Sequence, residues 1–128
     1  MDAREAARRW ATVWAEAWPA ADVAAIVALY ARDATFHSHP FRPRQGPEEY
    51  VRWAFDEQEA ARCRFGEPVV DGRRAAIDWW AVVTSKDGSQ QSLAGTSLVR
   101  FDDAGLVVEQ RDAWAEADGL HELPHWAS

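Results

Sequence analysis

The chain carries one cysteine, one methionine, one lysine and two tyrosines among its 128 residues, and each scarcity excludes something. A lone thiol, Cys63, cannot form an internal disulfide or a cysteine-based zinc site; flanked only by Arg62 and Arg64, it reads as a buried or idle thiol. Thirteen of the 14 basic residues are arginine, scattered apart from the doublets Arg8–Arg9 and Arg73–Arg74, and 21 acidic residues bring the net charge to −7. No basic stripe exists for nucleic acid, and no cluster for an anionic membrane surface. No apolar run approaches the ~18 residues of a spanning helix, and the charged start Met1-Asp2-Ala3-Arg4-Glu5 has no apolar targeting segment. The expectation is a cytoplasmic protein with a small, neutral partner. Arginine over lysine with abundant alanine is associated with GC-rich bacterial genomes.

Tryptophan is what the chain has in excess. Trp10, Trp14, Trp18, Trp53, Trp79, Trp80, Trp114 and Trp126 make eight indoles in a length suited to one domain of roughly 100–200 residues. Indoles are large and seldom fully buried, so they line either a packed core or an aromatic cavity. With 48% apolar residues the chain can build such a core.

From Ala3 to Trp18 strong helix formers carry an indole every fourth residue, the spacing of one helical stripe. Pro19 should end that helix, and Asp22 is a suitable cap for a second over Val23–Tyr30. A strand over Ala34–His39 should stop at Pro40 and Pro43, followed by a loop to Gly46. Pro47, Glu48 and Glu49 then open a third helix reaching about Ala61. Beyond Arg62 the period becomes that of strands: Arg64–Val70, Arg74–Ser85, Gln91–Phe101 and Leu106–Ala115, joined by turns at Asp71-Gly72, Lys86-Asp87-Gly88 and Asp102–Gly105. Turns this short require an antiparallel meander. Residues 119–128 read as an irregular tail with Trp126 as its anchor. Helices first and an antiparallel sheet after give an α+β domain over residues 1–128: a cone-shaped roll, its curved sheet wrapped around about three helices, with an interior suited to a ligand.

The segments Ile26–Phe36, Gly46-Pro47, Asp71-Gly72, Trp79 and Phe101–Glu109 resemble the nuclear transport factor 2-like superfamily, and within it the SnoaL-like and ketosteroid-isomerase-like proteins. The resemblance runs over roughly residues 8–118 and implies the cone fold without fixing a reaction. In ketosteroid isomerases a carboxylate base and a tyrosine–aspartic acid pair occupy positions that here hold Ser38, Trp14 and Ser97. None of these can do that chemistry, so steroid isomerisation is not expected. SnoaL-like cyclases place an acid/base aspartate on the last strand. Asp112 takes that position here, and alternation puts Gln110 and Trp114 on its face.

An Asp112 facing an indole-lined cavity would have a raised pKa suited to proton exchange; the rival is a hydrogen bond or ion pair that merely ties the sheet down. His39 is a candidate acid/base partner. His37 and His39 share a strand face without a visible third ligand, so no metal is expected. An Asp78–Arg111–Asp112 relay of the limonene-epoxide-hydrolase kind fails on phase, because Asp78 and Arg111 alternate out of register with the inward residues. Asp78 and Trp80 belong on the outer sheet face, where an exposed indole would call for a second subunit, hence an expected homodimer through that face.

The expected cavity walls are Trp14, Tyr30, Phe36, Ser38, Phe55, Trp79, Ser97, Gln110 and Trp114, with Trp10, Trp18 and Trp53 packing helices. The functional expectation is a pocket for a small hydrophobic molecule. By resemblance it performs cofactor-free acid/base chemistry through Asp112 at a carbon acidified by a carbonyl. The alternative is a non-catalytic ligand-binding or dimerisation module.

Overall fold

The computed structural model describes residues 1–122. Helix α1 (Ala3–Ala20) starts on Asp2, whose carboxylate accepts the Glu5 amide at 2.8 Å and so satisfies one of the open donors of the first turn. It buries Ala6, Ala7, Trp10, Trp14 and Ala17. The expected stop at Pro19 does not occur; the helix runs on to Ala20. Proline deprives the Ala15 carbonyl of its amide partner, and the Cys63 thiol donates there instead, at 3.6 Å.

Helix α2 (Val23–Val27), capped by Asp22, is shorter than its composition suggests, because the backbone leaves the helix to start strand β1 (Tyr30–His37). Tyr30 pairs with Val107 there, and the Val107 amide donates to the Leu29 carbonyl at 2.9 Å. Helix α3 (Pro47–Asp56) likewise ends before Ala61. Gln58–Phe65 forms β2 even though Gln-Glu-Ala-Ala favours a helix, since it completes the ladder along Trp79–Ser85. The expected strand Arg64–Val70 is therefore split. Its first residues belong to β2, and Val69–Asp71 is a short β3.

Strands β4 (Arg74–Ser85), β5 (Gln90–Phe101) and β6 (Val107–Asp118) make the antiparallel centre. The sheet order is β1-β6-β5-β4-β2, with β3 also on β4, and only β1 with β6 is parallel. The sheet curls strongly around α1, which crosses its concave face against β2, β4 and β5. Gly95 is what lets β5 and β6 approach where the sheet bends. A Cβ there would lie 2.4 Å from both the Ala113 carbonyl oxygen and the Trp114 Cβ.

Trp10, Phe36, Ile26, Ile77 and Val99 are among the most deeply buried side chains of the core. The outer face differs from expectation at one point. Trp80 is only 6% exposed within the single chain, with the Arg62 guanidinium 5.8 Å from its ring centre, so no bare indole calls for a second subunit. Asp78 does face outward and accepts from the Thr96 hydroxyl at 2.8 Å. The tail starts as irregular chain after Asp118. Ser92 ties it to β5, donating to the Gly119 carbonyl and accepting the His121 amide. Pro124, His125 and Trp126 lie outside the described residues.

Candidate active site

Strand alternation on β6 turns Gln110, Asp112 and Trp114 to the concave face, and cross-strand pairing sets Ser97 beside Asp112 and Gly95 beside Trp114. Between these residues, α1 and α3 lies a cavity of about 190 Å³, open on one side. Trp14, Phe55, Trp79, Ser97, Gln110, Asp112 and Trp114 all line it. Trp10 and Trp18, expected as packing, line it too. The indoles of Trp18 and Trp79 meet edge to face at 5.7 Å, and Trp14 and Trp18 at 5.9 Å.

The remaining candidates lie elsewhere. Tyr30 and Phe36 are buried behind the lining. The Tyr30 hydroxyl accepts from Trp14 Nε1 at 3.2 Å and donates to Gln110 Oε1, while Phe36 stacks on Tyr50 with ring centres 4.8 Å apart. Ser38 has no exposure; its hydroxyl accepts from Arg42 Nη1 at 3.2 Å, and its carbonyl accepts from Trp114 Nε1 at 2.5 Å. β1 ends at His37, so His39 sits in a bend, edge-on to Trp114 at 4.9 Å and outside the lining. Among the described residues no three His, Cys, Asp or Glu side chains group as a metal site.

The polar part of the wall is a directed hydrogen-bond network ending on Asp112. An indole N–H can only donate. Trp10 Nε1 donates to Gln110 Oε1 at 3.0 Å, and Tyr30 donates to the same oxygen, so the Gln110 amide nitrogen must face away; it donates to Asp112 Oδ1 at 3.0 Å. Trp79 Nε1 donates to Ser97 Oγ at 3.0 Å, which leaves the serine proton for Asp112 Oδ1 at 2.6 Å. Oδ1 is therefore saturated. Oδ2 has no partner among the described residues, on a side chain that lines the cavity.

Removal from water pushes the Asp112 carboxyl up to about 7, against the two hydrogen bonds, which favour its charged form. Burial also holds Tyr30 far above the usual phenol range, despite the indole donors. Tyr50 is pushed up to about 12, mainly by burial and further by the Asp112 carboxylate, with the Arg42 guanidinium opposing.

The sequence did not disclose several groups at the open side. Arg42 lies 5.5 Å from the centre of the Trp53 ring and 5.2 Å from that of Trp114, and lines the cavity with both. Its loop is closed by the Gln45 amide on the Phe36 carbonyl at 2.9 Å, a tertiary contact that no local pattern announces. Trp53 is not a packing residue but 56% exposed at the rim. Tyr50, Trp53 and Ala54 follow i, i+3, i+4 spacing on α3, which was a readable signal for a shared helical face. Gln58 escaped because its segment reads as helix; its amide oxygen accepts from Trp18 Nε1 at 3.0 Å and its nitrogen donates to the Trp18 carbonyl at 2.8 Å.

Among curated proteins none matches the chain. Among solved structures it is similar to a nuclear transport factor 2-like protein of unknown function from Exiguobacterium sp. 255-15, with TM-score 0.71 and 18% identity over 86% of this chain and 98% of that one. It is also similar to the epoxide hydrolase/cyclase-like enzyme SalBIII of pyran ring formation in salinomycin, with TM-score 0.71 and 17% identity over 88% of this chain and 90% of that one. At such identities the likeness is one of fold. Residues 7–110 match the SnoaL-like domain, a span that holds the cone and most of the cavity wall and stops just short of Asp112, and the chain belongs to that family.

Proposed function

We propose that the cavity binds a small, largely apolar ring molecule and that Asp112 moves a proton on it. The supporting observation is the asymmetry of the carboxyl group: Oδ1 is saturated by Ser97 and Gln110, so the proton that comes and goes near neutral pH belongs on Oδ2, on the cavity side. In the charged form Oδ2 takes a proton from a carbon next to a carbonyl. The C–H electron pair becomes the enolate, and the same oxygen returns the proton to a second position; or the enolate carbon closes a ring on a second carbonyl carbon of the molecule, whose C=O π pair moves to oxygen and takes the proton back from Asp112. No redox partner is needed for that sequence. The size also fits, since cavities of about 150 Å³ already accept benzene and this one is about 190 Å³.

Deuterium uptake tests the step. With 1-indanone and 1-tetralone in D2O, the wild-type protein should speed α-deuteration seen by mass spectrometry, and Asp112→Asn should remove the effect. Equal uptake with both proteins would refute the role of Asp112. Ketone binding without uptake would leave a ligand-binding module. Self-association through the outer sheet face belongs to the same proposal, supported by exposed Ala113, Ala115 and Ala117, which alternate outward along β6; a monomeric mass in light scattering at micromolar concentration would contradict it.

A further inference from the structure

The donors that face the cavity can be counted, and most are already used. The indole N–H groups of Trp10, Trp14, Trp18, Trp79 and Trp114 all go to protein oxygens, as do the amide of Gln110 and the hydroxyl of Ser97. The Trp53 indole N–H has no protein acceptor among the described residues either, but Trp53 is exposed at the rim, where water serves it. Two half-buried groups stand apart. The Tyr50 hydroxyl has the Arg42 guanidinium as its neighbour, a group that can only donate to it, so its own proton has no acceptor among the described residues; Arg42 also gives one N–H to Ser38 and forms no ion pair among them. Both line the cavity, next to one another: Tyr50 and Trp53 have ring centres 6.0 Å apart, and Arg42 lies over Trp53.

The position of Arg42 is set from three sides. Trp53 and Trp114 each offer a ring face within cation–π distance, and the buried Ser38 hydroxyl receives Nη1. The same Ser38 anchors the Trp114 indole through its carbonyl. Tyr50 is fixed by its stack on Phe36. Such a guanidinium is pre-oriented, with several donors left over, and unused donors of a charged group at a cavity mouth are available to an acceptor from outside the chain. Asp112 lies two residues before Trp114 on the same strand face, about 7 Å along the strand. A one-ring molecule spans that distance. The other charges at the cavity, Glu57 and Glu116, are both exposed, so solvent and salt screen them.

The geometry points to Arg42 and Tyr50 as the oxygen-binding corner of this cavity, taking a carbonyl or carboxylate oxygen of the ring molecule while its apolar body lies among the indoles. The ligand class thereby sharpens from hydrophobic to a ring bearing a negatively polarised oxygen. It rests on the same cavity as the proposed proton transfer, and gives the enolate oxygen its stabilising donors.

Benzoate, acetophenone and ethylbenzene are nearly equal in size and differ in that oxygen, so their binding is the test. Titrations at pH 6, where Asp112 is mostly protonated, can follow the indole N–H resonances of the 15N-labelled protein. Wild type should bind benzoate and acetophenone about tenfold or more tighter than ethylbenzene, the worth of one hydrogen bond to a charged group. Arg42→Gln should lose the benzoate preference and Tyr50→Phe should weaken acetophenone, each leaving ethylbenzene within about twofold. Retained ethylbenzene binding shows that a variant is folded; should Arg42→Gln not fold, Arg42→Lys serves, with a reduced preference expected because it loses the planar fork. Equal affinities in wild type, or a preference that survives in Arg42→Gln and Arg42→Lys, would overturn the assignment. Asp112→Asn should keep the preference, so failure of the proton-transfer reading and failure of this one give different patterns.

Discussion

Gln110 and Asp112 stand two residues apart on one face of β6, and the Gln110 amide donates to Asp112 Oδ1 at 3.0 Å while its own oxygen is held by Trp10 and Tyr30. The donor-only indole thereby sets the direction of a side chain whose two ends are otherwise interchangeable. Tryptophan in this protein orients the polar groups as well as walling the cavity.

Ser97→Ala removes one of the two hydrogen bonds that favour charged Asp112. The carboxyl should then titrate higher, by about one unit for a hydrogen bond to a charged group. In the deuteration assay the rising limb of rate against pH should move up by that amount, with the plateau kept. A merely structural Ser97 would lower the rate at every pH without moving the midpoint.

Asp112 also makes stability depend on pH. Its carboxyl titrates near 7 when folded and near 4 when unfolded, so the unfolded chain gives up its proton first. The raised value favours the folded state fully below pH 4, and that contribution is lost as pH rises through 7. Asp112→Asn escapes the loss. Thermal melts should therefore show the variant more stable than wild type at pH 8, with the gap closing toward pH 4; a gap that does not change with pH would contradict the buried, water-poor carboxylate.

Gly95→Ala places a methyl group 2.4 Å from the backbone oxygen of Ala113 and from the Trp114 Cβ. Those atoms belong to the neighbouring strand and cannot swing aside. The expected cost is about 2 kcal/mol or more, read from the urea midpoint, together with a shift of the Trp114 indole resonance. An unchanged midpoint would mean that the bend does not need the glycine.

Cys63 completes α1 rather than reacting. Burial pushes its thiol up to about 12, and its Sγ faces the Ala15 carbonyl. A disulfide reagent such as DTNB at pH 8 should label the folded protein far more slowly than the urea-unfolded chain. Rapid labelling of the folded protein would show the thiol to be exposed.

The residues that could be placed from sequence were those governed by local period and turn chemistry. Alternation alone turned Gln110, Asp112 and Trp114 to one face, and the Gly-containing turns delimited β4 and β5 closely. What was missed depends on distant partners. Tyr30 leaves its helical context because Val107 offers a ladder, and Gln58–Ala61 is strand because Val83–Ser85 pairs with it. The parallel contact of β1 with β6 has no turn to announce it. Arg42 and Ser38 belong to a loop whose shape is set by closure on Phe36, so a proline-rich stretch that looked like connection supplies the charged corner of the site.

The proposed chemistry requires a carboxyl group that changes its proton near neutrality while facing the cavity. The most direct measurement is the 13C NMR titration of the Asp112 side-chain carboxyl in the unliganded protein, assigned by its loss in Asp112→Asn. The expected midpoint is near 7. A midpoint near 4, the value of an ordinary solvated aspartate, would contradict it.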